Sequence, residues 1–195
     1  MDMSMGGLVR AAFSTIRDPR SGARAVMAIP LSRRQRWEIL LLIVVLSAAL
    51  AQLSVLLTGS PGMAAGPMAA TPMTLGLIQL FLLVSMAIGI WFVGAKMGGS
   101  GSLDDAIMLV SWLQFIMICL QVLQILALFI LPMVSLMIGL GGLILFFWLL
   151  VIFISEMHGF KSLTAVFMGV LISIIVFAVL LSISLGVLGI VIPPM

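Results

Sequence analysis

The feature that most constrains this chain is a stretch without a charged residue that runs from Ala106 to Ile154. One α-helix of these 49 residues would be about 73 Å long, more than twice the ~30 Å hydrocarbon core of a bilayer. A water-soluble fold of 195 residues, 64% of them apolar, cannot bury that much apolar surface. The stretch therefore predicts two membrane-spanning helices joined by a tight turn, and Pro132 is the natural position for that turn.

Further apolar runs of spanning length lie on both sides of this stretch. The predicted spans are residues 39–57, 75–95, 106–131, 133–154 and 163–192. The last run is longer than one span needs, so we expect it to tilt or to break near Gly186 and Gly189. The predicted fold is all-α, with a basic arm (residues 1–38) and a polytopic bundle of about five transmembrane helices (residues 39–195).

Helix signals also precede the first predicted span. Apolar residues within 9–16 follow helical spacing, and Asp18 followed by Pro19 is typical of a helix start. Ser32 and Gln35 match a capping box that would open the first span. Two short amphipathic helices on the cytoplasmic surface and a flexible basic arm are both compatible with this pattern.

The basic residues are confined to predicted segments on one side of the membrane. Residues 1–38, 96–105 and 155–162 carry all nine Lys and Arg, whereas residues 58–74, the turn at Pro132 and the carboxy-terminus carry none. Positive charge accumulates on the cytoplasmic side of membrane proteins. The distribution predicts a cytoplasmic amino-terminus and a carboxy-terminus on the opposite side.

The arm is predicted to contact the anionic headgroups of membrane lipids, because clustered arginines near a bilayer are attracted to them. The candidate contacts are Arg10, Arg17, Arg20, Arg24, Arg33, Arg34 and Arg36. A nucleic-acid partner is not expected, since the arm adds only Phe13 and Trp37 as stacking platforms.

A polar stripe on the third span is the best candidate for a functional site. Ser111, Gln114, Gln121 and Gln124 lie close to one line along the predicted helix. Amides are costly when they face lipid, so this face should contact the bundle or a partner helix. Hydrogen bonding within the bundle is the simpler interpretation, and a polar groove or protein-contact face is the functional one.

Two smaller polar clusters have simpler explanations. Glu156, His158 and Lys161 provide too few ligands for a metal site, and we interpret them as a solvated loop. Either Asp104 or Asp105 is expected to cap the third span. No nucleophile–base pair, phosphate loop or metal-binding spacing is present, so we expect no catalytic residue, cofactor or metal.

The arm sequence Phe13-Ser-Thr-Ile-Arg-Asp-Pro-Arg20 and the loop His158-Gly-Phe-Lys-Ser162 before a long final apolar run resemble the bacterial branch of the Yip (Ypt-interacting protein) domain family. The resemblance covers the chain from about residue 8 onward. It implies a five-span, non-enzymatic protein of the bacterial inner membrane that organises partners or membrane. The chain has no Tyr and therefore lacks the Tyr-Gly-Pro-like motif of eukaryotic members, so Rab GTPase binding is not implied.

The leading functional hypothesis is a scaffold or accessory subunit whose partners are other integral membrane proteins or a second copy of itself. One alternative is a transporter or channel for a neutral or lipid-like solute that uses the glutamines of the stripe. Another is a lipid-active enzyme that uses Asp104, Asp105, Glu156 and His158. The absence of ionisable residues within the predicted spans favours the first hypothesis over ion-coupled transport.

The charge distribution gives a topology that can be tested directly. Reporter fusions at Met1 and Met195 should report the cytoplasm and the opposite side respectively, because an odd number of spans separates the two ends. Finding both ends on the same side would rule out five spans.

Overall fold

The computed structural model describes residues 4–58 and 71–187. Within these residues the chain forms seven α-helices and no strand. The helices are α1 (Met5–Arg17), α2 (Pro19–Met27), α3 (Arg33–Thr58), α4 (Pro72–Lys96), α5 (Leu103–Ile130), α6 (Pro132–His158) and α7 (Leu163–Val187). Helices α3 to α7 are each long and apolar enough to cross a bilayer. The predicted all-α class and five spans are confirmed.

Local sequence signals set several helix starts. The Gln35 N–H donates to Ser32 Oγ at 3.3 Å while the Ser32 N–H donates to Gln35 Oε1 at 2.9 Å, which is the predicted capping box. Asp18 caps α2 by accepting from the Ser21 N–H at 3.1 Å, and Pro19 occupies the first helical position. Both predicted starts are confirmed.

The cap of α5 differs from the prediction. The Asp105 N–H donates to Ser102 Oγ at 3.1 Å, and the Ser102 hydroxyl donates to Asp105 Oδ2 at 2.6 Å. Ser102 is therefore the N-cap, and Asp104 and Asp105 lie in the first turn, where carboxylates interact favourably with the helix dipole. The prediction of an aspartate cap was wrong because the preceding serine already satisfies the free N–H group.

The turn between α5 and α6 lies where the sequence predicts it. Helix α5 ends at Ile130 and α6 begins at Pro132, because proline has no N–H and fits the first position of a helix. Helix α7 continues through Gly186 to Val187, so no break occurs at Gly186. Gly189 lies outside the described residues.

Helix α5 is the centre of the bundle. It packs against α6, α3, α4, α2 and α1, whereas α7 packs against α6 and α4. The consecutive residues 107–110 of α5 are all buried, so neighbours enclose this half of the helix on every side. In the other half, Val122, Leu126 and Ile130 are exposed. The bundle is therefore tightly packed at one end and open at the other.

The packed end includes the part of α5 and α6 that extends beyond the thickness of the bilayer core. Helices of 28 and 27 residues are about 42 and 40 Å long, against ~30 Å of hydrocarbon. If both enter the hydrocarbon at the Pro132 turn, about seven residues of each project beyond it at the other side. We call that other side the basic end; it carries α1, α2 and the connections 97–102 and 159–162.

The two amino-terminal helices cover this projecting, apolar part of the hairpin. Ala23 and Val26 of α2 are 0% and 1% exposed. The Trp112 indole N–H donates to Thr15 Oγ1 at 3.2 Å, which joins α1 to α5. Of the two interpretations of the arm, the helical one is confirmed, and the helices lie against protein because α5 and α6 project there.

The contact between α1 and α2 predicts that a glycine-to-alanine change lowers stability, although helix propensity alone would raise it. Gly22→Ala would gain up to ~1 kcal/mol of propensity, but its Cβ would overlap the buried side chain of Thr15. We expect a net loss of about 1–2 kcal/mol in the stability of the arm, measured by thermal unfolding and by protease cleavage within residues 28–32. Gly6→Ala is the control because open space surrounds it. Equal stability of the two variants would contradict the proposed packing.

Candidate functional site

The polar stripe of α5 consists of one serine whose hydroxyl is hydrogen-bonded and three glutamines whose amides, in the described residues, are not. Ser111 is buried, and its hydroxyl donates to the Ile107 carbonyl one turn earlier at 2.8 Å. Gln114, Gln121 and Gln124 are half-buried. Among residues 4–58 and 71–187, none of the three amides has a hydrogen-bonding partner within the chain. The described residues therefore contain no hydrogen bond of the bundle to these amides, and both interpretations of the stripe stay predictions.

The surroundings of the stripe explain why its amides lack partners. Gln124 lies against Gly139 of α6, where an added Cβ would be 2.9 Å from the amide nitrogen. Glycine allows the close approach but offers no side-chain hydrogen-bonding group. Gln121 lies nine residues, or about 14 Å, from the end of α5 at Ile130, which is near the middle of the hydrocarbon. If the hydrocarbon begins at the Pro132 turn, its amide lies where water is absent.

The arginines of the arm largely pair with carboxylates of the bundle. Arg20 Nε and Arg24 Nη1 of α2 lie 3.5 and 3.7 Å from the two oxygens of Glu156 on α6. Arg34 pairs with Glu38 within α3 at 2.8 Å. The pairs with Glu156 join the arm to the hairpin, whereas the exposed Arg34 pair contributes little.

Two further pairs join the starts of α3 and α5. Arg36 Nη1 lies 3.1 Å from Asp105 Oδ1, and the Arg36 side chain is only 14% exposed. Arg33 Nε lies 3.4 Å from Asp104 Oδ1, a buried oxygen that has no other partner among the described residues. Burial reduces solvent screening of the Arg36–Asp105 pair, which therefore holds the two helix starts together more firmly than an exposed pair would. The Arg33 side chain is 68% exposed, so its pair with Asp104 contributes little.

Contact between the arm and anionic headgroups stays a prediction. Arg10 and Arg17 are exposed, and neither has a carboxylate partner within the described part of the chain. These two arginines are therefore the ones whose charge is available to a headgroup, whereas Arg20, Arg24, Arg33, Arg34 and Arg36 face carboxylates.

The interpretation of Glu156, His158 and Lys161 as a solvated loop was wrong for two of the three residues. Helix α6 continues to His158, which is 4% exposed, and the Glu156 side chain is 16% exposed. The helix ends at Gly159, whose φ of 73° is the left-handed conformation that glycine adopts readily. Of these three residues, Lys161 alone lies exposed in the connection between α6 and α7.

His158 joins three segments of the basic end. Its Nδ1 accepts from the Gly101 N–H at 3.2 Å, and its Nε2 lies 3.1 Å from the Ile90 carbonyl oxygen of α4. Its ring stacks on Phe160 with centroids 5.3 Å apart. These contacts require the neutral imidazole with its proton on Nε2, because Nδ1 faces a donor and Nε2 faces an acceptor.

Three glycines make room for the imidazole. A Cβ at Gly94, Gly99 or Gly101 would overlap His158 or approach it too closely. With both ring nitrogens bonded to backbone groups, His158 is a structural link and is not free to act as a catalytic base. The glycines are separated from His158 by about 60 residues, so no local sequence signal identified this contact.

The remaining candidate groups do not form a reactive centre in the described residues. Asp104, Asp105 and Glu156 face guanidinium groups, and Cys119 is half-buried on α5. No three side chains of His, Cys, Asp or Glu come together in the parts of the chain that the structure describes.

Comparison with known families gives one result. The model of the Yip1 domain matches residues 13–184, which include most of the arm and reach into α7. No curated protein and no solved structure matches the chain.

The fit of His158 against α4 gives a test by double substitution. Gly94→Ala should lower the free energy of unfolding by about 1–3 kcal/mol, because its methyl group overlaps the imidazole ring. In a His158→Ala background the same change should be neutral or stabilising, since the obstruction is gone. Gly89→Ala, on the same helix in open space, is the control. Losses from Gly94→Ala of equal size in both backgrounds, measured by thermal unfolding in detergent, would contradict this assignment.

Proposed function

We propose that this chain, which belongs to the Yip1 domain family, is a non-enzymatic integral membrane protein that serves as a scaffold or accessory subunit of a membrane protein complex. The observation that carries the proposal is the polar stripe, and Gln121 above all. Its amide lies near the middle of the hydrocarbon and has no partner among the described residues. The missing partner is most simply a polar group on another transmembrane helix.

The energetics favour such a partner. An amide placed in hydrocarbon without a hydrogen bond costs roughly 2–7 kcal/mol, depending on the reference state. An interhelical hydrogen bond from such a group contributes about 0.6–2 kcal/mol to association. The exposed side chains beside the stripe, such as Val122 and Leu126, provide an apolar surface for the rest of the contact. The partner is another integral membrane protein or a second copy of this chain.

The transporter or channel alternative has no observation in its favour. It requires a polar, water-open passage beside the glutamines. A cavity of about 320 Å³ lies between α4, α6 and α7, and none of the four stripe residues lines it.

We also propose that the basic end faces the cytoplasm of a bacterial inner membrane. The orientation is supported by all nine Lys and Arg, which lie in the arm, at the last residue of α4 and in the connection 159–162, all at the basic end. The bacterial membrane is supported by the resemblance in residues 13–20 and 158–162.

The proposal predicts that removing the stripe amides weakens assembly without unfolding the protein. Gln121→Leu and Gln124→Leu should each weaken association about five-fold, for a loss of about 1 kcal/mol per hydrogen bond. The measurement is the amount of each protein that co-purifies at fixed stoichiometry with the tagged chain in mild detergent, together with native mass to detect a second copy. Thermal unfolding of the isolated chain should stay unchanged or rise.

Gln79→Leu is the comparison variant, because it removes a half-buried amide of α4 that also has no hydrogen-bonding partner among the described residues but lies outside the stripe. It separates the position of the stripe amides from the loss of any one amide. Loss of the same partner from the stripe variants alone supports the proposal. Equal losses from all three variants, or a lower unfolding temperature of the isolated stripe variants, would overturn it.

A further inference from the structure

A groove of about 320 Å³ lies between α4, α6 and α7, on a face of the bundle to which α5 contributes no residue. Its lining is apolar apart from the hydroxyls of Ser85 and Ser173, and the latter donates to the Gly169 carbonyl at 2.7 Å. Leu82 and Ile174 both line the groove and are exposed, so it opens sideways between α4 and α7.

The groove exists because α7 rests mainly on α6 and touches α4 in few places. Gly89 lines the groove, and a Cβ placed there would meet no atom within 4 Å. By contrast, the imidazole of His158 occupies the space beside Gly94 of the same helix. Packing of the bundle therefore leaves this volume open, and its apolar lining suits apolar groups.

The depth of the groove matches a lipid acyl chain. On this side its lining extends from Met97, which directly follows α4 at the basic end, to Leu82 of α4, a rise of about 22 Å. One leaflet of hydrocarbon is about 15 Å thick, so the groove begins near the headgroups and passes the middle of the membrane. Acyl chains are the apolar groups that surround it throughout this depth.

Contacts between α4 and α7 exclude a transmembrane helix as the occupant. At the basic end, a Cβ at Gly169 would lie 3.4 Å from the sulfur of Met97. Deeper in the membrane the rings of Phe81 and Phe177 have centroids 6.4 Å apart. The opening is therefore a window between two contacts, and a helix about 10 Å wide requires a continuous seam. A flexible chain can enter such a window.

Two lysines provide positive charge at the headgroup end. Lys96 adjoins Met97 and Lys161 adjoins Phe160, and both of these neighbours line the groove. Both lysines are exposed, and neither pairs with a carboxylate in the described residues. The carboxylates that form ion pairs there all face arginines. The Lys96 ammonium lies 5.6 Å from the centre of the Phe92 ring. This charge is complementary to a phosphate group.

We propose that the groove binds an anionic phospholipid, with one acyl chain between α4, α6 and α7 and its phosphate group at Lys96 and Lys161. The apolar lining provides affinity for any acyl chain, and the lysines provide the preference for a negative headgroup. Binding does not require the polar stripe or any partner that the stripe contacts.

Photolabelling in reconstituted vesicles tests the proposal. The full chain is placed in phosphatidylcholine vesicles that contain either phosphatidylglycerol or phosphatidylcholine with a diazirine on one acyl chain. Labelled peptides from α4 and α7 should be about five-fold or more enriched with the phosphatidylglycerol probe, because each lysine near the headgroups contributes about a five-fold preference. Equal labelling by the two probes would overturn the anionic preference.

Gly89→Leu should fill the groove and abolish most of the labelling on α7, while leucine also suits the helix. Gly141→Leu is the matched control, because Gly141 is exposed on α6, lines no part of the groove and has open space around it. Unchanged labelling in Gly89→Leu, or a loss of equal size in Gly141→Leu, would overturn the site.

Substitution of the two lysines at the headgroup end tests the proposal without changing the packing of the groove. The double change Lys96→Gln and Lys161→Gln should make the two probes label equally while the acyl-chain labelling of α4 and α7 remains. A preference for phosphatidylglycerol that survives the double change would overturn the role of the lysines. Cross-links that join α4 or α7 of two copies in place of lipid labelling would show that protein occupies the window.

Discussion

The α5–α6 hairpin is longer than the bilayer core is thick, and the organisation of the basic end depends on that excess. The projecting turns of both helices carry large apolar side chains that lipid no longer covers. Helices α1 and α2 cover them, and the family match begins at residue 13, within α1. The arm is thus an integral part of the fold, and its small residues at the contacts, such as Gly22 and Ala23, allow the close approach.

Charge at the basic end follows the same geometry. Carboxylates at the ends of α5 and α6 lie beside a low-dielectric interior, where an unpaired charge is costly. The arm provides the opposing guanidinium groups, for example Arg36 to Asp105 and Arg20 to Glu156. Among the described residues, Arg10, Arg17 and the two lysines have no carboxylate partner. Glu156 faces both Arg20 and Arg24, so one further positive charge remains there.

Helix α4 illustrates how glycine positions differ in their consequences. Gly94 is filled by the ring of His158, which ties α4 to the end of α6 and to the connection before α5. Gly89, less than two turns away, faces an open groove. Both glycines remove a side chain from the same helix, but only one of the resulting spaces receives a group from the protein.

The sequence by itself determined the class of the protein, its five spans and several helix starts. These features depend on local or nearly local physics: the length of uncharged runs such as 106–154, the cap at Asp18 and the turn at Pro132. The tertiary structure decided which groups meet. His158 is buried because glycines about 60 residues earlier admit it. Arg20 and Arg36 face carboxylates of distant helices. Gln124 lies against Gly139, which has no side-chain hydrogen-bonding group. Such contacts depend on the mutual position of helices, which no short sequence pattern encodes.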